Sequence, residues 1–520
     1  MNHYPIGIQD FSELRQGGYV YIDKTEQICR ILDSGKYFFL SRPRRFGKSL
    51  LLSTLKHIFL GRSDLFQGLW IGEEGRHDWA PHPVLHFSFS SIDYKTQGLE
   101  KALMEVINEA ATARGVVLRR TTLATRFQEL IQALGNGPRQ VVILIDEYDK
   151  PLTDFLEDLP KAQEHREIMK NFFSVVKDAD PFIRFFLITG VSKFSKVSLF
   201  SDLNHLEDLT IHPYAATLTG YTQAELEHSF SEEIQQLTEE YQTDRATMIG
   251  KIRAWYNGYR WWGSETLYNP FSVLNFMKSH AFRNHWWESG TPTFLLKLLK
   301  QNQQYDFSRL RVSHVVFESF SIENHDWLAL LFQTGYLTLA PYDLDDRVFG
   351  LIYPNLEVQE AMFQHLLAEY RHTPVTTIYP VWLRIKEALD EGNMTAFVEQ
   401  VNVLFASIPY PIFESKQESF FHAVLHLTFQ GIGLMTQSEV SSAHGRVDTV
   451  VHTQSGIYVM EFKLDASAQS ALNQIRDKRY GSPYLGGEQP VKAVGISFSS
   501  KTREVAECLV RPYQELLLEN

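Results

Sequence analysis

The chain has 520 residues, 44% hydrophobic and 22% charged, an ordinary globular composition that excludes long disorder, collagen-like repeats and coiled coil. That length is about three to four times the usual single-domain size, so several domains are expected. Lys plus Arg number 50 against 62 for Asp plus Glu, a net charge of -12, so adhesion to nucleic acid through the whole surface is disfavoured and any phosphate contact must be local.

In chain order, short runs rich in β-branched and aromatic residues come first: Tyr37 to Leu40, Val84 to Phe89, Val141 to Ile145 and Phe182 to Thr189. They read as buried strands. Helical patterns such as Leu50 to Phe59 and His165 to Val176 fill the intervals, which predicts a three-layer α/β domain with a mainly parallel sheet over residues 1–213. A shorter fifth strand near Leu209 to Ile211 is expected to close that sheet. Residues 214–404 read as a helical lid and middle region, with helical stretches at Gln223 to Tyr241, Ala246 to Tyr256 and Val381 to Leu404. Within that region, Trp327 to Pro341 predicts a helix ending at Gly335 and followed by a strand, as in winged-helix-like modules. Residues 405–520 read as helix, hairpin, helix and strand, a C-terminal α/β domain.

The first strand leads into Ser41-Arg42-Pro43-Arg44-Arg45-Phe46-Gly47-Lys48-Ser49 and then an apolar helix. A nucleoside triphosphate needs backbone N–H groups at a helix N-terminus, a lysine for the β/γ-phosphates and a hydroxyl on Mg2+. Gly47, Lys48 and Ser49 supply them. Arg42 stands where the full phosphate-loop pattern has Gly, while Arg42, Arg44 and Arg45 are expected to add positive charge. A second signal is Val141 to Ile145 ending in Asp146-Glu147-Tyr148-Asp149, which puts carboxylates at a strand end where open α/β sheets bind ligands. Asp146 suits Mg2+ through water, and Glu147 suits polarising the attacking water. The bland alternative is a solvated strand end. A further strand, Phe185 to Gly190, is expected between these two, where Thr189 either senses the γ-phosphate or caps the strand. No arginine finger can be assigned, since Lys193 and Lys196 follow Thr189 and Arg260 is a guess; the sequence does not argue for an obligate ring.

Ile6 to Phe11, Gly18 to Thr25, Arg42 to Ser49 and Ile145 to Asp149 together resemble the bacterial AAA-ATPase-like family, over roughly the first 210 residues. In that family the Arg-Pro-Arg-Arg-Phe-Gly-Lys-Ser loop is usual. The resemblance implies an ATP-binding domain, with Arg45, Phe46, Gly47, Lys48 and Ser49 in the phosphate loop and Asp146 and Glu147 at the acidic strand end. Tyr21 to Thr25 are expected to border the nucleotide.

Near the C-terminus, Gly445 to Val451 and Ile457 to Lys463 flank Gln454-Ser455-Gly456, which predicts a hairpin. A two-residue or four-residue loop puts Asp448 opposite Glu461 or Lys463, with all three on one face; a three-residue loop throws Asp448 to the other. The second strand is otherwise apolar, so its carboxylate needs compensation. Two readings stand: an ion pair with Lys463, or Mg2+ held by Asp448 and Glu461 with Lys463 activating water against a phosphodiester. Upstream, Glu418, His422 and His426 share a helical stripe, and a zinc site there is poorly supported. Gln474 suits a hydrogen bond to a phosphate or base, or a solvated helix face.

Glu418, Asp448, Glu461-Phe462-Lys463 and Gln474, in this order, resemble the PD-(D/E)XK nuclease superfamily over about the last 110 residues. That resemblance implies metal ligands at Asp448 and Glu461, a catalytic lysine at Lys463, and Glu418 and Gln474 as supporting residues. Val447 replaces the usual proline before the aspartate.

Cys29 and Cys508 stand far apart without metal-ligand spacing, which fits a reducing cytoplasm. Met1 to Arg15 lacks a basic start before an apolar run and does not read as a signal peptide. The densest apolar stretch, Phe185 to Val191, is far below the roughly 20 residues that span a bilayer, so no membrane is expected. The whole reads as a cytoplasmic ATPase, using ATP and Mg2+, joined through a helical middle region to a Mg2+-dependent nuclease-like domain acting on DNA or RNA. ATP is expected to regulate access to, or movement along, the nucleic acid, with candidate helpers at Arg476, Lys478, Arg479, Lys492, Lys501 and Arg503. The alternative is a nucleotide-dependent switch whose nuclease-like domain does not cleave.

Overall fold

The computed structural model describes residues 3–193, 203, 205–286, 295, 296, 299, 310–313, 317, 327–342, 348–371, 379–406, 408, 418–432, 434–442, 445–487 and 489–518. These residues divide into two compact units, Met1–Ser289 with Leu310–Leu356, and Gly290–Arg309 with Glu357–Asn520.

The first unit is built on a five-stranded sheet of β1 (Tyr37–Ser41), β2 (Val84–Ser88), β3 (Val141–Asp146), β4 (Ile183–Gly190) and β5 (Glu207–Asp208), in the order β2-β3-β4-β1-β5. Its strands pair in parallel throughout. Continuous apolar runs suit strands covered on both faces. On one face Leu52, Leu55 and Phe59 of the helix Lys48–Phe59 pack against Phe38, Leu40, Leu144 and Phe185. On the other, Phe87 meets Phe127, which stacks on Phe172 of the helix Leu159–Asp178 at 4.4 Å.

Register then aligns the ends of the strands. Leu40 pairs with Thr189 and Ile145 with Ile188, so the residues that follow β1 and β3 flank the end of β4. The fifth strand falls two residues earlier than the apolar run suggests. Asp208 accepts the Thr210 N–H and turns the chain, so Leu209 is buried beyond the strand rather than within it.

After residue 213, Leu226, Phe230, Ile234, Leu237, Met248, Ile252 and Phe276 form a helical core that also takes in Ile22. The expected long helix is two, Gln223–Ser229 and Ser231–Glu240, separated at Phe230, whose φ of -122° and ψ of 29° leave the helical region. Thr222 and Glu225 close a capping box at the first of these, and Glu225 also pairs with Lys24 at 2.6 Å. The helix Trp327–Thr334 ends at Gly335, as its sequence suggests, and leads into a small antiparallel sheet of β6 (Leu310–Ser313), β7 (Thr338–Leu339) and β8 (Val348–Ile352), in the order β6-β8-β7.

The second unit carries a mixed sheet of β9 (Met435–Ser442), β10 (Gly445–Thr453), β11 (Gly456–Leu464), β12 (Val491–Phe498) and β13 (Val505–Pro512), in the order β13-β12-β11-β10-β9. The pair β11–β12 is parallel, and the helix Ala468–Asp477 occupies the crossover that such a pair requires. The helix Glu418–Gly431 packs on β9, β10 and β11.

Candidate functional site

The phosphate-loop residues leave β1 and turn at Gly47, whose φ of 83° caps the helix beginning at Lys48. The left-handed backbone there favours glycine and aims free N–H groups of the first helical turn at the loop. Lys48 is buried, and its Nζ donates to the carbonyls of Arg42 at 2.8 Å and Pro43 at 2.9 Å. Burial pulls its pKa down, against the pull of Asp146, Asp149 and Glu147.

At the end of β3, Asp146 is 3% exposed and Asp149 4% exposed, so this strand end is not solvated. Asp146 Oδ1 accepts from Thr189 Oγ1 at 2.7 Å and from the Glu147 N–H at 3.0 Å. Glu147 has a φ of 52°, a left-handed conformation that costs a non-glycine residue on the order of 1 kcal/mol and recurs at functional sites. Asp149 accepts from the Val191 and Ser192 N–H groups, and burial pushes its pKa up.

In the second unit, β10 and β11 pair from Thr449↔Met460 to Thr453↔Gly456 around a two-residue turn. One step beyond the first of these pairs, Asp448 faces Glu461. At that step carboxylates replace carbonyls as acceptors: Asp448 Oδ2 takes the Phe462 N–H at 2.8 Å, and Glu461 Oε2 takes the Asp448 N–H at 3.4 Å. Lys463 Nζ lies 3.0 Å from Glu461 Oε1. Glu461 is 1% exposed, whereas Asp448 and Lys463 are half-buried, so the group opens on their side. Burial and then the neighbouring Asp448 push the Glu461 carboxyl up to about 7, and Lys463 offsets this only in part.

A family model described as predicted AAA-ATPase matches residues 5–200, and one for the PD-(D/E)XK nuclease superfamily matches residues 416–508. A protein of Azotobacter chroococcum mcd 1 described as "Uncharacterized protein in vnfD 5'region" is 36% identical over 97% of this chain and 98% of its own length. Residues 5–200 form an AAA-ATPase-like domain. The C-terminal end of the chain carries the PD-(D/E)XK nuclease superfamily domain.

Within this AAA-ATPase-like domain, Gly47, Lys48 and Ser49 lie at the start of one helix, and Asp146, Glu147 and Thr189 at the ends of two adjacent strands. Arg42 corrects the expectation of a third loop cation. It is fully buried, donates to the carbonyls of Ser41, Thr210 and Ala215, and lies 4.4 Å from the Trp261 ring. A guanidinium can satisfy several carbonyls at once, so here it braces the loop from behind. Phe46 likewise turns its ring into the core against Tyr259 and Trp261, leaving its backbone to the cradle. Arg45 is exposed, with a φ of 66° and its guanidinium over Phe271.

Asp23 accepts from Thr25 and the Trp70 N–H, and Lys24 is committed to Glu225, so these two members of the Tyr21–Thr25 segment have structural partners. Lys193 pairs with Asp208, and Arg260 donates to the Gly263 carbonyl. Lys196 lies outside the described residues.

In the nuclease domain, the side chain of Glu418 lies outside the described part, although the residue begins its helix. His422 Nε2 contacts the Asp448 carbonyl at 2.8 Å, and the stripe of Glu418, His422 and His426 lies partly outside the described side chains. The Gln474 side chain lies beside Tyr480, which the sequence does not single out. Burial raises the Tyr480 pKa, with Glu461 and Asp448 adding to the rise.

Proposed function

We propose that the chain binds and hydrolyses ATP at its first unit and cleaves nucleic-acid phosphodiesters, with Mg2+, at its second. The observation that carries the cleavage reading is Asp448 facing Glu461 with Lys463 beside it. Two carboxylates held together against one ammonium leave an excess negative charge in a poorly solvated place, where burial and then the facing Asp448 raise the Glu461 pKa. A divalent cation fits it. Asp448 and Glu461 would hold the ion, and main chain, water or substrate would complete its oxygen shell. Bound there, Mg2+ supplies Lewis-acid polarisation of the phosphoryl oxygen. Lys463 orients the attacking water, and Gln474 with Tyr480 positions the strand being cut.

At the first site, Lys48 and the helix N-terminus receive the β/γ-phosphates. The Lys48 ammonium is bonded to loop carbonyls, which a phosphate can replace as the stronger acceptor. Ser49 and Asp146 hold Mg2+, Glu147 polarises water, and Thr189 reports the γ-phosphate to Asp146. The free thiols of Cys29 and Cys508 suit a cytoplasmic setting.

The second reading, a nucleotide-dependent switch without cleavage, draws on the near-complete burial of Glu461. Purified chain is incubated with single- and double-stranded DNA and RNA, with and without Mg2+ and ATP. Metal-dependent degradation that survives in Lys48→Ala without ATP turnover, and is lost in Lys463→Ala, is the expected result. Nucleotide-dependent binding without degradation selects the switch, and undiminished cleavage by Lys463→Ala overturns the assignment of that lysine.

A further inference from the structure

The helix stripe that carries His422 touches the nuclease centre. On β10, Asp448 sits between Val447, paired with Val440, and Thr449, paired with Ser438 and Met460. Its carbonyl reaches the helix Glu418–Gly431. There it meets His422 Nε2 at 2.8 Å and accepts from Thr449 Oγ1 at 2.7 Å. A carbonyl oxygen is acceptor only, so Nε2 carries the proton and donates. The same ring lies 5.6 Å from that of Phe462, whose N–H holds Asp448 Oδ2. His422 thus braces the main chain of Asp448 and packs on the residue between Glu461 and Lys463, while being 7% exposed itself.

We infer that His422 is a positioning residue of the metal site, setting the separation of the Asp448 and Glu461 carboxylates through the Asp448 carbonyl. The inference rests on the reading of these two residues as metal ligands. It holds that the cation's affinity, and not only the stability of the domain, depends on the donor at His422 Nε2. Groups that orient ligands in this way change metal affinity by about 10- to 100-fold when removed.

The test is Mn2+ binding by the full chain without nucleotide, followed by electron paramagnetic resonance, with thermal unfolding run in parallel. Asp448→Ala defines the binding that belongs to this site. In His422→Gln the amide reaches about as far as Nε2, and Mn2+ affinity stays within about threefold of the parent. In His422→Asn the amide is too short to reach the carbonyl, and affinity falls about tenfold or more. His422→Leu falls as far where it folds, and where it does not the Gln and Asn pair decides. Equal Mn2+ affinity in Asn and Gln variants, with both unfolding at lower temperature, overturns the inference and leaves His422 a core residue. Undiminished Mn2+ binding by Asp448→Ala instead overturns the underlying metal reading.

Discussion

At the residue scale, Glu461 combines burial, a facing carboxylate and a lysine at 3.0 Å, and the first two win, raising its pKa from 4.5 to about 7. The consequence for stability has a definite sign. Between those values the folded carboxyl keeps a proton that the unfolded chain has released, so the native state binds the extra proton. Its contribution is complete below pH 4.5 and is lost as pH rises through about 7. In metal-free protein the loss is on the order of 3 kcal/mol across that window. Urea unfolding in EDTA from pH 5 to pH 8 measures it. The parent should lose stability relative to Glu461→Gln as pH rises, and Mg2+ at pH 8 should restore the parent but not the variant. A parent-to-variant difference that is flat with pH removes the charge argument for the cation.

At the scale of elements, the phosphate loop is held by segments far along the chain. Pro43 packs on Gly335, the Arg44 carbonyl accepts from Trp286, and Arg42 reaches the Thr210 and Ala215 carbonyls. Gly335 has a φ of 88°, and a Cβ there would lie 2.6 Å from Pro43 side-chain carbons. Gly335→Ala must therefore push on the segment whose carbonyl bonds Lys48. Gly263, with a φ of 63° and nothing within 4 Å of its Cβ, offers a control that carries backbone strain without the push. Both variants should lose about 1–2 kcal/mol of stability, but Gly335→Ala should also weaken binding of a fluorescent ATP analogue about tenfold, or by about 1.4 kcal/mol. Equal nucleotide affinity in the two variants would mean that the loop is indifferent to Gly335.

Which elements could be read from sequence follows from their surroundings. The strands β1 and β3 are covered on both faces, and their unbroken apolar runs announce that. The edge strands β9, with Thr436, Ser438 and Glu439, and β13, with Glu507 and Pro512, carry no such run and were not foreseen. The hairpin site was legible because side-chain period and loop length together set which residues face each other. Arg42 was not, because a charged residue in a basic loop reads as surface until the carbonyls that receive it are known. Nor was the His422 contact, since a helical stripe does not reveal that its target is a main-chain oxygen.

At the scale of the whole molecule, a net charge of -12 repels a polyanion, so a strand can approach only where cations are concentrated. Two of the expected helpers have partners within the protein: Arg476 pairs with Asp477, and Lys492 lies over the Tyr458 ring. Lys478 and Arg479 are exposed at the C-terminal end of the helix Ala468–Asp477, immediately before Tyr480. They therefore make the best case for phosphate contacts beside the carboxylates. Each phosphate neutralised on duplex DNA releases counterions and adds about -0.9 to the slope of log affinity against log salt. Duplex binding is measured by fluorescence anisotropy in a Lys463→Ala background, where the substrate should survive. Replacing Lys478 and Arg479 together by Ala should make the slope shallower by about two and weaken binding similarly for unrelated sequences. An unchanged slope would move the nucleic-acid face away from this helix end. The proposed cleavage site would then need a strand delivered by cations elsewhere on the chain.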